Sequence, residues 1–129
     1  MNPVLVIEDN IDNLLLITYA LKNAGYSVIS AETGEAGVEL ARQERPYFIL
    51  MDINLPGIDG TEATRRIRIS EINDTIPIIA ITSFALQGDR EKILAAGCNG
   101  YFEKPIDPNT IVDQIQAILS KCGARESGY

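Results

Sequence analysis

Residues 48–60 read FILMDINLPGIDG, and this stretch decides the fold. Four apolar residues, Phe48 to Met51, run directly into Asp52, and the turn-forming pair Pro56-Gly57 follows. A short apolar run bounded by turn residues predicts a strand that is covered on both faces. An aspartate at the end of such a strand has two explanations. It caps the following turn, or it belongs to a reactive site at the strand tip.

The rest of the chain repeats this pattern. Four further short apolar runs predict strands over residues 4–7, 27–30, 76–81 and 100–102. Helical periodicity predicts helices over 12–24, 34–43, 60–71 and 86–96. A last helix is predicted with Asp107 as its N-cap, Pro108 at its first position and Ile111 and Ile115 on its apolar face.

Two of the predicted helices are ambiguous. Polar and apolar residues partly alternate over 65–69, as in a strand. A helix is predicted there only because the order of alternating strands and helices requires one. The three arginines of this segment are interpreted as a solvated face. The 86–96 helix has Gly88 in its first turn and few large apolar residues, so we expect it to be the least firmly held element.

Five βα units predict an α/β fold of the doubly wound, flavodoxin-like (βα)5 kind. Its five parallel strands are expected in the order 2-1-3-4-5. We predict one domain over residues 1–122 and a flexible tail over 123–129.

Composition excludes several function classes. The 129 residues carry a net charge of −7 and contain no histidine, so catalytic triads with histidine and imidazole metal sites are excluded. An acidic chain has no general attraction for nucleic acid, and no apolar run is long enough to span a membrane. Cys98 and Cys122 are too few and too irregularly placed for a disulfide framework. We expect a cytoplasmic protein.

Polar residues follow four of the predicted strands at their carboxyl ends. They are Glu8-Asp9 after the first, Asp52 after the third, Thr82-Ser83 after the fourth and Lys104-Pro105 after the fifth. Ligands of doubly wound sheets bind at this edge, where the strand order reverses between strands one and three. An isolated strand-tip aspartate is more often a cap, but capping does not explain four neighbouring tips that carry acids, a hydroxyl and an amine.

The three carboxylates predict a site for a hard divalent cation, Mg²⁺ or Mn²⁺. Close carboxylates repel one another unless a proton or a cation neutralises them, and oxygen-only ligands suit such an ion. Asp9 and Asp52 would supply carboxylates, Asn54 a backbone carbonyl, and Glu8 would act through water.

A cation site with room for phosphate suggests phosphoryl transfer. Carboxylates form aspartyl phosphates, so Asp52 is the candidate nucleophile. The Lys104 ammonium is placed to neutralise phosphoryl oxygens, and the Thr82 hydroxyl to donate a hydrogen bond to one of them.

Glu8-Asp9, Asp52, Thr82 and Lys104-Pro105, in this order on a βα rhythm, resemble the receiver domain of bacterial two-component response regulators, the CheY-like family. The resemblance covers about residues 3–121, and the stretch ITSFALQGDREKILAAGCNGYFEKPI, which starts at Ile81, is similar to single-domain DivK-type receivers.

The resemblance implies a signalling protein, not an enzyme for an external substrate. Asp52 would accept a phosphoryl group from a sensor histidine kinase or a histidine phosphotransfer protein. The protein would assist its own phosphorylation and dephosphorylation. The Lys104-Pro105 bond would be cis, and Thr82 and Tyr101 would be the switch residues. The face of the fourth helix, fifth strand and fifth helix would then change its protein partners.

Three alternatives remain open on the residues alone. A phosphatase of the haloacid dehalogenase type needs a second aspartate two residues after the nucleophile, where this chain has Asn54. A nucleotide binder needs a glycine-rich phosphate loop after the first strand, where this chain has Glu8-Asp9. The third alternative is an interaction module that works without phosphorylation.

Overall fold

The structure is a computed structural model that describes residues 2–70, 76–83 and 87–122. Within these residues, parallel strands alternate with helices, and the sheet order is β2-β1-β3-β4-β5, which confirms the predicted fold. The elements are β1 (Val4–Ile7), α1 (Ile11–Asn23), β2 (Val28–Ala31), α2 (Gly34–Glu44), β3 (Ile49–Asp52), α3 (Gly60–Ser70), β4 (Ile78–Thr82), α4 (Gln87–Ala96), β5 (Gly100–Glu103) and α5 (Ile111–Lys121).

The predicted tail over residues 123–129 lies outside the described residues, and the domain boundary at residue 122 stays a prediction. Among the described residues, no helix is both long enough and apolar enough to cross a membrane.

The three inner strands are buried on both faces. Every residue of β1, β3 and β4 is buried. Their side chains alternate between two cores: Leu50 packs in the core that includes α1 and α5 residues, whereas Ile49 and Met51 pack in the core that includes residues of α2, α3 and α4. Two covered faces explain why these strands appear in the sequence as continuous apolar runs.

Polar side chains cap the helices that follow β1 and β3. Asn10 caps α1 by accepting a hydrogen bond from the amide of Asn13 at 3.0 Å. Asp59 accepts from the amide of Glu62 at 2.9 Å at the start of α3. Each cap satisfies an amide that the first helical turn leaves without a partner.

Helix α3 settles the ambiguity over residues 65–69, which are helical. Arg65 and Arg66 are exposed and pair with Glu62, as a solvated face requires. Arg68 does not belong to that face: it is half-buried and donates to backbone carbonyls. The prediction of three solvated arginines is therefore wrong for Arg68.

The predicted start of α5 is also wrong. Residues 108–110 form a turn, and the helix begins at Ile111. Asp107 begins this turn: its carbonyl accepts from the amide of Thr110 at 3.1 Å and its carboxylate accepts from the amide of Asn109 at 2.9 Å. The N-cap of α5 is Thr110, which makes no side-chain capping hydrogen bond.

Helix α4 has little apolar packing. The structure describes the side chains of α4 residues 88–96. Among them, only Ile93 and Ala96 are buried, and Leu94 is 49% exposed. Among the described residues, no atom would lie within 4 Å of a Cβ placed on Gly88, so none of them requires a glycine there.

We predict that Gly88→Ala stabilises the protein by about 0.5–1 kcal/mol, because alanine loses less backbone entropy than glycine when a helix forms. Urea unfolding measures the gain, and amide hydrogen exchange should locate it in α4. Gly37→Ala on α2 is the matched control and should destabilise, because its Cβ would collide with the Ile7 side chain. Unchanged or lower stability in Gly88→Ala would contradict the prediction.

Candidate functional site

Four strand tips bring the predicted site residues together at one edge of the sheet. Glu8 follows β1, Asp52 ends β3, Thr82 ends β4 and Lys104 follows β5. Because the order β1-β3-β4-β5 makes these strands consecutive neighbours, their carboxyl ends converge on the acidic residues. The site predicted from separate stretches of sequence is thus a single place in the fold.

The carboxylates of Glu8, Asp9 and Asp52 form a cluster. One oxygen of each lies within 4.8 Å of the other two. Glu8 and Asp52 are each only 1% exposed, whereas Asp9 is exposed. Burial reduces the screening between the first two, so their repulsion is strong and needs compensation.

Lys104 supplies part of that compensation. Its Nζ lies 3.3 Å from Asp52 Oδ2 and 3.7 Å from Glu8 Oε1. Backbone amides supply more: the Asn54 amide donates to Asp52 Oδ1 at 3.0 Å, and the Asn10 amide donates to Glu8 Oε2 at 3.1 Å. The Lys104-Pro105 peptide is cis, as the resemblance implied.

These contacts leave the acidic cluster incompletely neutralised. Burial, the neighbouring Asp52 carboxyl and its charge raise the pKa of Glu8 to about 7, although the Asn10 amide and Lys104 oppose the rise. Glu8 Oε1 is buried and accepts no hydrogen bond from the described residues. A buried carboxylate oxygen that accepts no hydrogen bond from the described residues, beside two further carboxylates, belongs to a donor set that fits a hard divalent cation such as Mg²⁺.

Asn54 lies directly beside the cluster on the loop after β3. It is exposed, and its amide is already used by Asp52. It follows the end of β3 by two residues and lines a cavity of about 240 Å³ that also reaches Thr82. Thr82 is only 3% exposed, so its hydroxyl belongs to the protein interior next to Asp52.

Tyr101 lies on β5, outside the acidic cluster. It is half-buried and pairs in register with Ala80 of β4, two residues before Thr82. The guanidinium carbon of Arg90 on α4 lies 5.8 Å from the centre of its ring, within range of a cation–π interaction. The sequence offered no signal for this contact, because α4 and β5 meet only in the folded chain.

Sequence reasoning missed two further features of the site. The Asn10 amide orients the Glu8 carboxylate, and Gly60 lies against the β3 tip, where a Cβ would come within 2.5 Å of the Asp52 carbonyl oxygen. The N-cap residue Asn10, directly after Glu8-Asp9, was a usable signal for the hydrogen bond to Glu8. The second depends on how α3 packs against β3.

Comparison with known proteins gives a consistent result. A family model described as the response regulator receiver domain matches residues 4–116. The polar-differentiation response regulator DivK of Brucella anthropi is 38% identical over 116 residues, which cover 90% of this chain and 94% of the relative.

Two solved structures are similar to the whole fold. The receiver domain of the sensor histidine kinase PA1611 of Pseudomonas aeruginosa, with magnesium in its active-site cleft, is 40% identical with a TM-score of 0.82. The chemotaxis protein CheY4 of Vibrio cholerae is 27% identical with a TM-score of 0.85. In both comparisons, 92% of this chain and 98% of the other are covered.

The raised pKa of Glu8 predicts how stability depends on pH without a divalent cation. Folding raises this pKa from 4.5 to about 7, so the native state holds the proton more tightly than the unfolded chain does. The contribution of this proton binding to the free energy of unfolding is complete below pH 4.5 and is lost as the pH rises through 7. At pH 8, with a chelator present, the free energy of unfolding of Glu8→Gln should therefore exceed that of the wild type by on the order of 2 kcal/mol.

Urea unfolding at pH 5 to 8 measures this difference, which should shrink toward pH 5. Asp9→Asn is the control: it removes an exposed carboxylate of the same cluster and should change stability less, because burial is the main cause of the Glu8 effect. A Glu8→Gln difference that is independent of pH would disprove the prediction.

Proposed function

The chain belongs to the response regulator receiver domain family, and from this membership we propose that Asp52 accepts a phosphoryl group from a phosphohistidine. The observation that carries the proposal is the Asp52 carboxylate itself. It is buried at a strand tip, one oxygen is held by the Asn54 amide and the other by Lys104, and two more carboxylates adjoin it.

The proposed transfer is an in-line substitution at phosphorus. An Asp52 oxygen attacks, the new O–P bond forms as the N–P bond breaks, and the electron pair of that bond goes to the imidazole of the donor. Lys104 is positioned to remain beside the transferred group, and Thr82 to donate its hydroxyl hydrogen to one of the new oxygens. The Asn54 amide keeps the acceptor carboxylate oriented.

We propose that Mg²⁺, or Mn²⁺ in its place, binds through Asp9, Asp52 and the Asn54 carbonyl, with Glu8 acting through water. When bound, the cation neutralises the carboxylates and the incoming phosphoryl oxygens. Glu8 Oε1, which accepts no hydrogen bond from the described residues, and the oxygen-only donor set support this assignment.

In this proposal the protein is a phosphoacceptor that assists its own phosphorylation and autodephosphorylation and turns over no external substrate. Asn54 stands where a phosphatase of the haloacid dehalogenase type needs a second aspartate, which disfavours that alternative. A cytoplasmic location is part of the proposal, because histidine kinases draw the phosphoryl group from ATP inside the cell.

The output of the site is proposed to be a change of protein contacts on the face of α4, β5 and α5. Thr82 and Tyr101 are the proposed switch residues. Thr82 ends β4 at the acidic cluster, and Tyr101 lies on β5 in contact with Arg90 of α4, so the two residues link the acceptor to that face.

The protein that donates the phosphoryl group is proposed to dock on α1. Ile11, Leu15 and Tyr19 are 60%, 61% and 65% exposed, and their spacing of four residues places them in one stripe. The stripe begins two residues after Asp9, so a protein that reaches Asp52 from this side covers it. A kinase or phosphotransfer protein with an apolar surface beside its histidine fits this arrangement.

Phosphorylation by acetyl phosphate tests the central assignment. With Mg²⁺ the wild type should gain one acid-stable, base-labile phosphoryl group by mass spectrometry, and Asp52→Asn should gain none. Removal of Mg²⁺ should stop labelling. The control Asp59→Asn changes an exposed aspartate on the same loop that caps α3, and it should still be labelled. Labelling of Asp52→Asn equal to the wild type would refute the assignment.

The docking proposal is tested with a purified phosphotransfer protein that labels the wild type. Leu15→Ala should slow this transfer about tenfold, the effect of losing one moderate interface residue, without changing labelling by acetyl phosphate. Ile69→Ala is the matched control, because Ile69 is 82% exposed but lies on α3. Equal effects of the two substitutions would contradict docking on α1.

A further inference from the structure

The loop between β3 and α3, residues 53–59, is fixed at both ends against β3. At its start, the Asn54 amide donates to Asp52 Oδ1 at 3.0 Å. At its end, the amide of Gly60, the first residue of α3, donates to the Ile53 carbonyl at 2.9 Å. Both ends of the loop are therefore set by β3, whereas the middle of the loop contacts a different element.

The middle of this loop lies on the first turn of α2. Ile58 is half-buried and packs against the core that includes α2 residues. A Cβ placed on Gly34, the first residue of α2, would lie 2.6 Å from Ile58 Cγ1 and 3.0 Å from the Ile58 carbonyl oxygen. Carbon atoms that are not bonded to each other prefer separations of about 3.5–4.0 Å. Ile58 can therefore lie at this position only because Gly34 has no side chain.

A second contact joins the same two segments. Gly57 has a φ of +73°, in the left-handed region that favours glycine. A Cβ placed there would lie 3.1 and 3.2 Å from the two carboxylate oxygens of Glu35, the second residue of α2. Two consecutive residues of the loop therefore lie against two consecutive residues of α2.

The backbone conformation does not require a glycine at position 34. Gly34 is buried in α2 and does not have a positive φ. Helical backbone favours alanine over glycine, because glycine loses more conformational entropy when the helix forms. The close approach of Ile58 is thus the physical reason for a glycine in the first turn of α2.

We propose that Gly34 is a positioning residue for the cation site: by leaving room for Ile58, it lets α2 set the position of the loop that carries Asn54. The inference deepens the proposed function and rests on it, because Asn54 is the proposed source of a carbonyl ligand. Gly34 touches no ligand itself and acts through Ile58, four residues after Asn54. The cation site then depends on a helix that supplies none of its proposed ligands.

Binding of Mn²⁺, which replaces Mg²⁺ and whose free ion is measured by electron paramagnetic resonance, tests the proposal on the full chain. Gly34→Ala should bind Mn²⁺ about tenfold more weakly than the wild type, as when the support of a ligand residue is lost. Ile58→Ala removes the side-chain atoms that the new Cβ would meet. In that background, Gly34→Ala should weaken binding by less than about twofold, because the two effects are not additive.

Urea unfolding of the same variants separates positioning from packing. A purely structural role of Gly34 would lower the free energy of unfolding of Gly34→Ala without changing its affinity for Mn²⁺, and this result overturns the proposal. An equal loss of affinity from Gly34→Ala with isoleucine or alanine at position 58 overturns it too, because the effect then does not pass through the Ile58 side chain.

Gly37→Ala is the matched control, because Gly37 lies one turn further along α2 and its Cβ would collide with the Ile7 side chain instead of the loop. It should lower stability but keep the affinity for Mn²⁺ within about twofold of the wild type. Equal losses of affinity in Gly34→Ala and Gly37→Ala contradict the proposal.

If Gly34→Ala does not fold, Ile58→Ala alone takes its place, since it removes the same contact from the half-buried loop side. It should weaken Mn²⁺ binding about threefold, because part of the support of the loop is lost. An affinity equal to that of the wild type would then overturn the positioning role.

Failure of the proposed cation site gives a different result. In that case the wild type binds no Mn²⁺, or Asp52→Asn binds it as tightly as the wild type does. Either outcome removes the site that Gly34 would serve and overturns the positioning role as well. Binding that is lost in Asp52→Asn but unchanged in Gly34→Ala overturns the positioning role alone.

Discussion

The carboxylates of Glu8 and Asp52 lie together almost without exposure to solvent, and the rest of the structure depends on how their repulsion is balanced. Lys104 and the amides of Asn10 and Asn54 offset part of the charge. Burial and the neighbouring Asp52 carboxylate raise the pKa of Glu8 to about 7, and one Glu8 oxygen accepts no hydrogen bond from the described residues. A bound cation would offset the remaining charge, as the proposed role of Asp52 as phosphoryl acceptor requires.

The parallel sheet makes this balance possible because the carboxylates, the hydroxyl and the amine lie at the carboxyl ends of neighbouring strands. The acids come from β1 and β3, the hydroxyl from β4 and the amine from the end of β5. Two apolar cores cover both faces of the sheet and hold the strand tips in place. Helix α4 contributes few buried side chains to those cores. Thr82, at the end of the buried strand β4, therefore lies where the sheet meets α4, and residues of both line the same cavity.

Much of the fold and of the candidate site could be predicted because the signals are local. Continuous apolar runs mark buried parallel strands, and acids, hydroxyl and lysine directly after such runs mark one edge of the sheet. The two errors have different causes, one a contact between distant residues and the other a local turn. Arg68 was interpreted as solvated since its helix is polar, yet its acceptors Gly97 and Asn99 are about thirty residues away. The start of α5 was placed at Asp107-Pro108, where the structure first forms a turn.

The sequence by itself determined the βα order, the buried strands and the residues at their tips, because hydrophobic periodicity and turn residues act over a few positions. It also determined the family, because the motif residues stand in a characteristic order. Only the tertiary structure decided the burial of the Glu8 carboxylate beside Asp52, the cavity lined by Asn54 and Thr82, the contact of Arg90 with Tyr101 and the hydrogen bonds of Arg68 to the Gly97 and Ile76 carbonyls. These features arise where separate elements pack against one another, and packing depends on distances that no local pattern encodes.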